Sequence, residues 1–143
     1  MWHIFTTSSP YKKRARLLAI LWTLLIFILC FMPAKDVPDV QFPLADKWVH
    51  FVLFGNFAFL WLCSWPGKKW PHLLKMFLAS VLVGWLVEEI QGMLPSLGRT
   101  KDVLDIVADS IGGILGIALF YICSTIAEKK LSRRASNTHT TTD

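Results

Sequence analysis

A chain of 143 residues that is 54% hydrophobic, with 7 Trp and 10 Phe, is more apolar than a single soluble domain of this length requires. Its mean hydropathy of +0.48 agrees. The net charge of +5 would suit nucleic acid, but the basic residues cluster at the ends of apolar runs, which excludes that partner.

Residues 1–16 form a lead that ends in Lys12, Lys13, Arg14 and Arg16. From Leu17 to Met32 the only polar interruption is Thr23. A basic lead before an apolar run also opens signal peptides, but Phe31-Met32-Pro33-Ala34-Lys35 offers no small-x-small cleavage site. Leu29 before Cys30 fits a lipoprotein signal equally poorly, so the run reads as an uncleaved first transmembrane helix. Pro33, Pro38 and Pro43 punctuate the next loop, which holds Asp36 and Asp39 and cannot be helical throughout.

A second span is expected from about Leu44 to Trp65, with Asp46 in its first turn, where a carboxylate suits the positive end of the helix dipole. Pro66-Gly67-Lys68-Lys69 ends it, and Trp65 and Trp70 bracket that turn as interfacial anchors. The third span runs from about Pro71 to Leu94, roughly 33 Å of helix and enough for a hydrocarbon core of about 30 Å. After Pro95-Ser96-Leu97-Gly98, Thr100 is the expected N-cap of a fourth span from Val103 to about Ile126. The tail, 127–143, is basic, then Ser/Thr-rich, and reads as disordered. Cys30, Cys63 and Cys123 fall in three separate apolar runs without C-x-x-C spacing, so they read as small buried hydrophobes.

Orientation follows from the positive charges. With the N-terminus cytoplasmic, the four basic residues of the lead, Lys68, Lys69, Lys75, Lys129, Lys130, Arg133 and Arg134 all lie inside. Only Lys35, Lys47, Arg99 and Lys101 fall outside, the arrangement the positive-inside rule selects. Most acids then gather at the outer end: Asp36, Asp39, Asp46, Glu88, Glu89, Asp102, Asp105 and Asp109.

Helical spacing of about 100° per residue decides which of these can meet. On the fourth span Asp102, Asp105, Ala108, Asp109, Gly112, Gly113 and Gly116 share one face, opposite Ile106, Val107, Ile111, Ile114, Leu115 and Ile117. The small residues recur in the small-xxx-small pattern that admits a neighbouring helix. On the third span Gly84, Glu88 and Gln91 share a face, while Glu89 points elsewhere. Asp46 and His50 are one turn apart on the second span, with Lys47 on a neighbouring line. Charges at this depth demand partners and mark a candidate site.

The residues point to an outward-facing pocket in which His50, Glu88 and Asp105 are the candidate catalytic groups. Asp46, Lys47, Gln91, Arg99, Asp102 and Asp109 are the candidate ligand-binding groups. Three chemistries stay open: a divalent metal, though H-E-x-x-H spacing is absent; general acid–base work on a lipid-linked substrate; and ligand binding without turnover. Ser96 and Ser110 lack a convincing base, which argues against a serine hydrolase. A different class of reading also stays open, in which these charges only lock the helices together.

Three segments resemble the VanZ-like membrane family: D-K-x-x-H-F at Asp46 to Phe51, E-x-x-Q at Glu88 to Gln91, and Arg99, Asp102, Asp105, Ala108 and Gly112 in the third block. This chain departs from the family at Asp109, where an Asn is usual, and so adds a negative charge beside Asp105. The resemblance implies a small multi-span cell-envelope protein and, through the family's namesake, a link to susceptibility to the glycopeptide teicoplanin. It carries no reaction, cofactor or metal with it.

The expectation is therefore an all-α, polytopic protein of the cytoplasmic membrane, with four transmembrane helices in residues 17–126 and both termini inside. Its expected partners are membrane lipids, a lipid-linked envelope precursor and, in an oligomer, other copies of itself.

Overall fold

A computed structural model describes residues 2–37 and 43–139 of the chain. Asp39, expected among the outer acids, lies outside the described residues. Four α-helices account for most of the fold: α1 Lys12–Cys30, α2 Ala45–Ser64, α3 Trp70–Met93 and α4 Val103–His139. Single 3-10 turns at Trp2–Phe5, Ala34–Asp36 and Pro95–Leu97 lie outside them, and no strand occurs among the described residues. By length and composition, α2 and α4 as far as Asn137 are long and apolar enough to cross a bilayer.

Local chemistry explains the boundaries. Pro71 occupies the first turn of α3, where a missing N–H costs nothing. Gly98 takes φ 65° after the Pro95–Leu97 turn, a left-handed conformation that glycine adopts without strain. Two expectations change. Asp102, not Thr100, caps α4: its Oδ1 accepts the Leu104 N–H at 2.9 Å. The segment expected to be disordered from residue 127 continues α4 as far as His139. Lys and Arg end an apolar span but are good helix formers, so the helix outlasts the hydrophobic run.

Packing centres on α4, whose most extensive partner is α2. A Cβ at Gly112 would run into the Phe51 carbonyl, and one at Gly116 into the Gly55 carbonyl, so backbone meets backbone along this seam. One apolar cluster joins Ile26 and Cys30 of α1 to Leu53, Phe54 and Phe57 of α2 and Val87 of α3. A second, towards the other end, groups Ala15, Leu62, Cys63 and Phe120, with Phe5 packed against it. Trp22 on α1 donates its indole N–H to the Leu53 carbonyl at 2.9 Å, and Trp61 on α2 donates to Thr23 Oγ1 at 3.1 Å. Cys30 and Cys63 are buried apolar residues, as expected, while Cys123 is half-buried.

Along their apolar stretches the helices turn large hydrophobic side chains outward. Leu17, Leu21, Leu24 and Ile28 on α1, Leu78 and Leu82 on α3, and Ile111, Ile114 and Leu115 on α4 are all exposed. So are Trp65 and Trp70 at the α2–α3 turn. Of the expected inner face of α4, Asp105, Ala108, Asp109, Gly112, Gly113 and Gly116 are buried and Asp102 is half-buried; opposite them Val107, Ile111, Ile114 and Leu115 are exposed, while Ile106 and Ile117 are half-buried.

Candidate functional site

The polar residues gather where the start of α2, the end of α3 and the start of α4 meet, in two layers. In the outer layer the Lys47 ammonium lies 2.6 Å from Asp46 Oδ2, against Asp102 Oδ2, and 3.1 Å from Asp105 Oδ1. Asp102 is thereby tied to α2 while its other oxygen caps α4. The Lys47 hydrogen bond, and then the Leu104 N–H, hold the Asp102 carboxyl below the usual carboxylate range. Glu89 faces away from this layer, as its 100° offset from Glu88 requires, and pairs with Lys101.

The inner layer is buried. His50, 6% exposed, places Nδ1 3.0 Å from Asp109 Oδ1, and its ring lies parallel to Phe54. Glu88 is fully buried; Oε2 accepts the Asp102 backbone N–H at 2.8 Å, and Oε1 has no hydrogen-bond partner. Asp105 Oδ1 is within ion-pair distance of Lys47 but not aligned for a hydrogen bond, and Asp109 Oδ2 has no partner. Gln91 reaches across to α1 and donates to the Cys30 carbonyl at 2.7 Å. Arg99 does not pair with Asp105; its Nε donates to the Met32 carbonyl at 3.2 Å. One donor atom each from His50, Glu88 and Asp105 lies within 4.8 Å of the other two.

Above these groups lies a half-open cavity of about 680 Å³. Its polar lining includes Asp46, His50, Gln91, Arg99, Asp102 and Asp105. Its apolar walls come from Leu29 and Cys30 of α1 and from Val49 and Leu53 of α2. Glu88 and Asp109 sit behind this lining, while Lys47 reaches its edge through Asp46, Asp102 and Asp105. All nine residues singled out in the sequence therefore fall in one region. The α1 wall was not foreseen, because Leu29 and Met32 look like any other lipid-facing residue and only Gln91 and Arg99 bind them to the site. Gly55 was missed for a similar reason, since no second glycine on α2 flagged it. Serine chemistry finds no support: Ser96 is exposed, and Ser110 donates to the Ile106 carbonyl at 2.7 Å.

The sequence model of the family described as VanZ/LLP1 matches residues 2–124, a span containing every helix contact and site residue above. The chain belongs to the VanZ/LLP1 family. No curated protein and no solved structure matches it. As a VanZ/LLP1 protein with two bilayer-length apolar helices, it has the character of a membrane protein.

Proposed function

We propose that this VanZ/LLP1 protein is a four-span protein of the cytoplasmic membrane with both termini cytoplasmic. In this reading its cavity opens at the outer leaflet and receives the headgroup of a lipid-linked cell-envelope component. The cavity itself is the observation that carries the reading: charged and amide groups form its lining, and Leu29, Val49 and Leu53 stand beside them to take the start of a lipid chain. The apolar outer face of all four helices supports burial in lipid, and the basic clusters at the opposite end support the orientation. Holding such a component is a route by which the protein would alter susceptibility to glycopeptides such as teicoplanin.

Native mass spectrometry after mild-detergent extraction tests the reading. The wild type should carry a lipid with a large polar headgroup. Arg99→Gln, which loses charge at the rim, and Val49→Trp, which fills the apolar wall, should each cut occupancy at least tenfold. Equal occupancy in both inserted variants would leave the second reading, an accessory protein whose polar groups only join helices. That reading has its own support: Gln91 ties α3 to α1, His50 with Asp109 ties α2 to α4, and Glu88 ties α3 to the cap of α4.

A further inference from the structure

We propose that the floor of the cavity binds a divalent first-row metal ion through His50, Glu88 and Asp105, with Asp109 orienting the imidazole. The three ligands come from α2, α3 and α4, so no linear motif announces them. Their donor atoms all lie within 4.8 Å of one another, a limit that includes the roughly 3–4 Å separating ligands around an ion with bonds of about 2.1 Å.

Three further observations point to a cation. Glu88 is fully buried, yet one of its carboxylate oxygens has no hydrogen-bond partner. In a bilayer such an atom is costly, and a metal bond satisfies it. Next, His50 Nδ1 lies 3.0 Å from Asp109 Oδ1; with that nitrogen donating to the carboxylate, Nε2 is the ring atom left for an ion, the carboxylate–histidine arrangement that supports metal ligands. Parallel packing on Phe54 holds the ring in that plane.

Charge balance is the third. Glu88, Asp105 and Asp109 are three buried carboxylates, and the cationic partners facing them are the Lys47 ammonium on Asp105, shared with Asp46 and Asp102, and, when protonated, the His50 ring on Asp109. A divalent ion supplies the missing positive charge at the centre of the cluster. The neighbouring acidic trio, Asp46, Asp102 and Asp105, differs because the Lys47 ammonium already occupies it. His50 and Asp105 also line the cavity, so an anionic oxygen of a bound headgroup would approach the ion from that side.

The inference rests on the reading of this cavity as the working site, and one set of preparations separates the two. Full-length protein in detergent is stripped with chelator, then titrated with Zn²⁺ or Mn²⁺. Bound metal is measured by elemental mass spectrometry, and melting temperature alongside it. The wild type should take up one ion per chain and melt at a higher temperature when loaded. His50→Gln and Glu88→Gln should abolish saturable uptake, and Asp109→Asn should weaken it by about 10- to 100-fold. Wild-type protein that binds no stoichiometric ion and shows no thermal shift overturns the proposal, whatever the variants do. Equal affinity in wild type and Glu88→Gln overturns it as well. Lipid retained without metal uptake would sink the metal site alone; metal uptake without lipid would sink the lipid reading alone.

Discussion

Lys47 shares one ammonium among Asp46, Asp102 and Asp105, and the consequence is a pH dependence of known sign. Asp102 is held below the ordinary carboxylate range by Lys47 and the Leu104 N–H. A depressed carboxylate contributes stability at neutral pH and above, and loses it as pH falls through the folded value, here below about 3.9. Asp102→Asn should therefore melt below the wild type at pH 7, with the gap closing on acidification beneath that value. A gap that stays constant down to pH 3 would refute a stabilising role for the Asp102 charge. At this scale the sequence identified Asp109 as unusual but not what it does. Its partner, His50, lies on another helix, and periodicity orders residues within a helix, not between helices.

At the scale of elements, the seam between α2 and α4 explains why small residues recur on α4. Gly112→Ala and Gly116→Ala each place a methyl against backbone that cannot rotate away, so each should cost about 1–3 kcal/mol or more. Gly113→Ala should be milder, because its new methyl would lie 2.8 Å from the Ser80 hydroxyl, which can turn aside. Thermal unfolding in detergent ranks the three, and a Gly113→Ala defect as large as the others would refute this account. The face of α4 was legible because a steady 100° advance separates Asp105, Ala108 and Asp109 from Ile106 and Val107. Its length was not. Lys129, Lys130, Arg133 and Arg134 mark where an apolar run stops, and nothing in them stops a helix.

At the scale of the molecule, the proposed topology makes Thr100 and Lys69 opposite-side markers. In a background with Cys30, Cys63 and Cys123 replaced by Ala, Thr100→Cys should react with a membrane-impermeant maleimide in intact cells. Lys69→Cys should react only after permeabilisation. The reverse pattern would invert the orientation and turn the cavity towards the cytoplasm. That the nine polar residues share a region was legible because charges set near the ends of apolar runs are carried to one height. How they divide was not: Lys47 with its acids outside, His50, Glu88 and Asp109 within. That division depends on side-chain reach across helix contacts, and so does the donation from Arg99 Nε to the Met32 carbonyl.

The uninterrupted course of α4 has a practical outcome. Its Val103–His139 rod is roughly 55 Å long, against a hydrocarbon layer of about 30 Å, so in the proposed topology a continuous helical stub stands clear of lipid or micelle. Proteins this small are hard to align in electron micrographs, since nothing protrudes from the detergent belt. A helical fiducial domain grafted in phase after Asn137 would inherit the direction of the rod and give single-particle imaging a rigid handle on the whole bundle.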